Sequence, residues 1–362
     1  SAPRPAGRAA AAPRTGPRAV EKKHTVTLIP GDGVGEDLAD QVVKVIQATG
    51  VSIGFDRQLS GRRAQAKSGS PLPESLFESV RKNKVALKGV ISTPIGAGYE
   101  SPNVQLRKRL GLFASIRPVR NLPGLKARYE NVDLVVIREN TEDMYSGIEH
   151  EVVPGVVQSV KVVTEQASLR IARAAFEYAT RHGRKSVACV HKANIMKQAD
   201  GLFLDCFRRV AGEFPSIRPS EVIADAACMQ LVLDPYRFDV LVMGNLYGDI
   251  ISDVCSGLVG GAGAVPGINV GEDLVVFEAT HGDAPELEGR DAAGPLPLLV
   301  PAVHMLRHLG EAEAADRIMK GLGAVLADGS RLTRDLGGDS ATSAMIEAVV
   351  AAMPPPVPAP GA

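Results

Sequence analysis

Apolar positions along this chain follow two alternating rhythms. Short continuous apolar runs, which mark strands buried on both faces, occupy residues 24–30, 51–55, 85–91, 132–138, 186–190 and 239–243, with one more before Asp225. Between them lie stretches with apolar residues at helical spacing, at 36–49, 74–82, 168–182 and 200–211. In the first of these, Leu38, Val42, Val43 and Ile46 share one face. The alternation predicts an α/β fold in which polar residues at the strand ends line a crevice. Glycine and proline interrupt it at 92–98, which reads as a loop.

Several polar residues sit where chemistry would need them. Asp249 and Asp253 are four residues apart, so on a helix their carboxylates share a face. A helix opening at Asp249 would use them as a cap and first-turn acids. The alternative is a cation site, and hard oxygen ligands suit Mg²⁺ or Mn²⁺. Arg117 and Arg138 each occupy the polar end of an apolar stretch, where a guanidinium is costly unless paired. Arg107 lies in the stretch after Ser101 and Asn103, two residues suited to capping a helix. Three converging arginines would suit a polycarboxylate, whereas singly each is an ordinary ion-pair partner. Lys192 directly follows a strand, either as a solvated end or as a base aimed into a crevice. Tyr145 falls in an acid-rich run that reads as exposed. Residues 31–35 read GDGVG, a GxGxG spacing that fits a tight strand-to-helix turn better than the GxGxxG of a Rossmann dinucleotide site.

Composition narrows the partners. Lys plus Arg and Asp plus Glu balance at 41 each, which argues against a nucleic-acid or membrane-surface partner. Trp is absent, and no apolar run approaches membrane-spanning length. Cys189, Cys206, Cys228 and Cys255 form no CxxC pair and read as free thiols of a reducing compartment. Residues 1–23, rich in Ala, Pro and Arg, and the proline-rich 354–362 read as disordered tails.

The motifs IPGDG, SPNVQLRKRLGLFASIRPVR, VIRENTEDMYSGIEH, VHKANIMK, VLVMGNLYGDIISD, FEATHGDAPELEGRD and LGGDSAT together resemble the isocitrate/isopropylmalate dehydrogenase family over residues 24–351. Within it they are most similar to the NAD-dependent isocitrate dehydrogenases. The resemblance implies two α/β domains around a cleft. A large domain would comprise 24–112 and 260–353, and a small one 113–259, with an intersubunit clasp near 143–164. It implies oxidative decarboxylation of isocitrate to 2-oxoglutarate in a homodimer or larger oligomer whose subunits share each active site. Asp249 and Asp253, with Asp225 of a second subunit, would hold the Mg²⁺ or Mn²⁺. Lys192, also lent across the dimer, and Tyr145 would be the catalytic base and acid. Ser101, Asn103, Arg107, Arg117 and Arg138 would bind substrate, with Ser101 and Asn103 selecting isocitrate over isopropylmalate. Thr93, Asn194, His281, Gly282, Glu286 and Leu287 would contact the cofactor, and the acid Glu286 implies NAD rather than NADP. The location implied is cytoplasmic in a bacterium and the mitochondrial matrix in a eukaryote.

Two departures from the family pattern stand in the cofactor loop. Asp283 replaces a hydroxyl residue after His281-Gly282, and Gly294 replaces an adenine-contacting Asn before Pro295. Both predict weakened NAD binding, with Gly294→Asn expected to lower the KM for NAD. The alternatives are a non-catalytic regulatory subunit of a hetero-oligomer and a homoisocitrate or isopropylmalate dehydrogenase. Retention of Tyr145, Lys192, Asp225, Asp249 and Asp253 favours catalysis.

Overall fold

The computed structural model describes residues 24–93 and 101–356. The expected N-terminal tail and most of the 92–98 loop fall outside these residues. The expected C-terminal tail does so from 357; before that, Arg317 Nε donates to the Pro354 carbonyl at 2.8 Å.

The chain begins with β1 (His24–Ile29), α1 (Gly35–Ala48), β2 (Ile53–Arg57), α2 (Gly61–Ser68), α3 (Glu74–Asn83), β3 (Val85–Lys88) and α4 (Pro102–Arg109). Next come β4 (Ala114–Arg120), β5 (Asp133–Glu139), the hairpin β6 (Glu149–Val153) and β7 (Val156–Ser159), then α5 (Glu165–Arg181) and β8 (Ser186–His191). They are followed by α6 (Ala199–Ala211), β9 (Arg218–Ile223), α7 (Ala224–Leu233), β10 (Val240–Met243) and α8 (Asn245–Leu258). The last elements are β11 (Gly267–Val270), β12 (Val275–Glu278), α9 (Leu296–His308), α10 (Ala312–Asp328) and α11 (Thr342–Ala352).

Ten strands form one sheet in the order β2-β1-β3-β12-β11-β4-β5-β10-β8-β9. The wings are parallel, as apolar runs joined by helical crossovers require. The centre is antiparallel, where β11 pairs with β12 and β4, and β4 pairs with β5. The sheet and its main core run without interruption across the expected domain boundaries at 113 and 260.

Local chemistry explains why the elements start and stop where they do. In α1, Leu38, Val42 and Ile46 are fully buried, while Glu36 and Asp37 face the dipole in its first turn. Thr164 caps α5 by accepting the Ala167 N–H at 3.2 Å. Helix α3 stops at Lys84, whose φ of 65° breaks the helical path. Helix α8 opens at Asn245 with Gly244 at its N-cap, so Asp249 stands within the helix. The cap reading of Asp249 is therefore overturned, although both acids do lie on one helix.

Candidate active site

Strand ends converge on a pocket of about 220 Å³ between the sheet and α4 and α8. Arg138 is the penultimate residue of β5 and is 1% exposed, lying against α8 at Gly248. A Cβ on Gly248 would stand 2.4 Å from Arg138 Cγ, which is why glycine sits between Tyr247 and Asp249. Arg138 Nε donates to Asn245 Oδ1 at 2.9 Å, Nη1 pairs with Asp249, and buried Nη2 has no partner.

The same pattern recurs at the other two guanidiniums. Arg117, 5% exposed on β4, has no partner for Nε. Arg107, on α4, reaches Glu278 Oε1 at 3.1 Å and leaves Nε unpaired. Burial pushes the pKa of Arg117 and Arg138 down, against the pull of nearby acids. Asn103 donates to the Ile91 carbonyl at 2.8 Å while its buried Oδ1 has no partner. Buried polar atoms are seldom left unsatisfied, so a concentration of guanidinium donors in one pocket fits an anion that would complete them.

Ser101 precedes α4 but does not cap it; its hydroxyl lies 2.9 Å from that of Thr93. Tyr145, expected to be exposed, is instead partly buried on a short 3-10 turn, with its hydroxyl donating to Asp249 Oδ2. Burial and the Asp249 carboxylate raise its pKa. For Asp249, burial opposes ionisation, but Arg138 and the Tyr145 hydroxyl prevail and hold its carboxyl below the usual range. Asp253 moves the opposite way, raised by burial and by Asp249 despite Arg117.

Two further members of the pocket, Lys88 and Glu278, escape the sequence reading. Both are buried at the ends of neighbouring parallel strands and pair at 3.1 Å. Burial resists ionisation of Glu278, yet Lys88 and Arg107 overcome it and hold the carboxyl far below its ordinary range. The signal that singled out Arg138, a charge closing an apolar run, was present for both in VALK and VVFE.

Not every expected residue reaches this pocket. Lys192 and Asp225 pair with each other at 2.6 Å, and exposed Asn194 lies on the loop after Lys192; none of the three lines it. Among the described residues, no three His, Cys, Asp or Glu side chains are grouped to hold a metal within one chain. Asp249 and Asp253 nonetheless supply the hard oxygen donors that Mg²⁺ or Mn²⁺ prefers. His281 is partly buried in the pocket, and burial lowers its pKa. Gly282 faces open space, and Glu286 and Leu287 occupy a 3-10 turn on which Glu286 is exposed. The four cysteines are free thiols. No helix among the described residues is long and apolar enough to cross a membrane.

Sheet and pocket together define an α/β protein with an arginine-lined pocket at its strand ends. Residues 25–349 match the isocitrate/isopropylmalate dehydrogenase family, and the chain belongs to it. It is 52% identical to isocitrate dehydrogenase [NAD] catalytic subunit 5, mitochondrial, of Arabidopsis thaliana, over 90% of this chain and 87% of that one. It is also 50% identical to the chloroplastic 3-isopropylmalate dehydrogenase of Solanum tuberosum, over 84% and 85% of the two chains. Against the mitochondrial isocitrate dehydrogenase [NAD] regulatory subunit 1 of Arabidopsis thaliana the identity is 50%, over 90% and 89%. The crystal structure of isocitrate dehydrogenase from Methylococcus capsulatus superposes with a TM-score of 0.86 at 46% identity, covering 91% of this chain and 98% of that one.

Proposed function

We propose that the chain is a catalytic NAD-dependent isocitrate dehydrogenase, converting isocitrate to 2-oxoglutarate and CO₂. The observation that carries this reading is the set of three arginines with unpaired buried nitrogens around one pocket. Arg107, Arg117 and Arg138 would pin substrate carboxylates by charge-assisted hydrogen bonds. Ser101 and Asn103 sit at the same mouth, where an alkyl group would leave the buried Asn103 Oδ1 without a partner.

Asp249 and Asp253, with Asp225 from a second subunit, would hold a divalent ion, which when bound supplies Lewis acidity at the substrate's hydroxyl and adjacent carboxylate. Lys192, also from the second subunit, would take the hydroxyl proton as hydride leaves for the nicotinamide. Tyr145 would return a proton to the enolate carbon after CO₂ departs. Glu286, exposed and without an ion-pair partner among the described residues, would accept the ribose hydroxyls of NAD and repel a 2′-phosphate.

A shared site requires at least a dimer. The hairpin β6–β7 exposes Val152, Val153, Val156 and Val157, and α7 exposes Met229, Val232 and Leu233, which suits burial against a second copy. The names of the mitochondrial relatives support the matrix for a eukaryotic source and leave the cytoplasm for a bacterial one. A steady-state panel of isocitrate, homoisocitrate and isopropylmalate, each with NAD and NADP and Mg²⁺, tests the reading. The expected result is the highest kcat/KM for isocitrate with NAD. A higher value for isopropylmalate would overturn the substrate, and no turnover by the single chain would favour the regulatory reading.

A further inference from the structure

Asp283 does not stand alone in the cofactor loop. Its carboxylate accepts a hydrogen bond from Ser92 Oγ and lies 3.1 Å from Arg62 Nη2. Its carbonyl accepts the Val34 N–H at 3.1 Å, with the backbones so close that a Cβ on Gly33 would stand 1.8 Å from that oxygen. Arg62 also faces Asp32, 3.7 Å from Nε. Asp32 is buried and receives the N–H groups of Arg62 at 2.7 Å and Ser92 at 2.9 Å. Four segments distant in sequence thus meet at one charged knot. At the far end of the loop, Arg63 bridges Glu288 at 2.8 Å and Glu36 at 3.1 Å, and the Gly289 N–H reaches Asp37 at 2.7 Å. The segment between these ties carries Glu286 and Leu287.

We infer that Arg62 and Asp283 form a latch that positions the cofactor loop and cancels the charge Asp283 would otherwise present to the pyrophosphate. The inference rests on the assignment of that loop to NAD. It reverses the expectation that Asp283 weakens cofactor binding, because the acid arrives already paired. Arg62 is then a positioning residue whose removal does two things: it loosens the loop, and it leaves a carboxylate uncompensated beside a dianion. Removing Asp283 does only the first. The two substitutions are therefore expected to be non-additive in a stated direction.

The test is a fluorescence titration of the intact protein with NADH for wild type, Arg62→Gln, Asp283→Thr and the double variant, with amide hydrogen exchange over residues 281–291 in the absence of cofactor. Arg62→Gln is expected to weaken NADH binding about fivefold, while Asp283→Thr and the double variant stay within about twofold of each other and nearer wild type. Exchange over 281–291 should quicken in all three variants, and Arg62→Lys, which keeps the charge, should recover NADH affinity. NADH binding by Arg62→Gln equal to that of wild type, or a double variant as weak as Arg62→Gln, would overturn the charge role. Unchanged exchange in Arg62→Gln would overturn the latch even if wild type bound no NADH, a result that would count separately against the assignment to NAD.

Discussion

Lys192 Nζ and Asp225 Oδ1 stand 2.6 Å apart within one chain, while the Tyr145 hydroxyl donates to Asp249 in a pocket that neither Lys192 nor Asp225 lines. Asp225 is largely exposed, and Lys192 holds its carboxyl below the usual range. The pair lies at the surface, where the proposed delivery to a neighbouring protomer would need it.

Mixed oligomers follow from that arrangement. Lys192→Met and Tyr145→Phe should each be inactive alone. After denaturation and joint refolding in equal amounts, half of the dimers combine one chain of each, and each such dimer holds one site with both residues intact. The mixture should recover about a quarter of wild-type activity. Persistent inactivity of a mixture shown by mass spectrometry to contain hybrids would place both residues in the same protomer's site.

Arg117→Met should separate stability from function. The substitution removes a buried cation with an unpaired Nε, so stability to urea should hold or rise by up to about 2 kcal/mol. The same change would delete the proposed charge-assisted contact to substrate, so kcat/KM for isocitrate should fall about a hundredfold. A loss of stability with unchanged kcat/KM would make Arg117 a structural ion-pair member.

Gly294→Asn should not improve the enzyme by itself. A Cβ at Gly294 would stand 2.1 Å from Asp335 Oδ2, and Asp335 is held by the Thr333 hydroxyl at 2.6 Å. Making room requires Asp335 to move, at a cost of about 1 to 3 kcal/mol in urea unfolding. The gain in NAD affinity expected from restoring the amide should emerge only with Asp335→Ala present. A single variant that lowers the KM for NAD with undiminished stability would show that Asp335 yields freely.

His304, within α9, gives a pH dependence of stability. Burial, with Arg307 and Arg120 adding to it, pushes its pKa down to about 4 from 6.5. Above pH 6.5 the imidazole is neutral in both states. As pH falls toward 4 the unfolded chain takes up the proton and the folded one does not, so stability falls. This group accounts for up to about 3 kcal/mol of loss across that window. His304→Gln should flatten the urea-derived stability profile between pH 6.5 and 4 relative to wild type. Parallel profiles would show that His304 protonates as easily folded as unfolded.

The sequence by itself determined most strands of the two wings and four of the helices between them, because a strand buried on two faces and a helix buried on one leave different apolar periods. It also determined the chemical inventory, since a charge that ends an apolar run must find a partner. Applied consistently, that argument would have named Lys88 and Glu278 beside Arg138. The tertiary structure alone decided the antiparallel centre, because strand direction leaves no mark on an apolar run. It alone paired Asp283, which read singly as a repulsion, with Arg62, 221 residues away. It alone set Lys192 beside Asp225 and away from Tyr145 and Asp249. Spacing along a chain reports which face of an element a side chain occupies, whereas the identity of its neighbour depends on how distant elements are brought together.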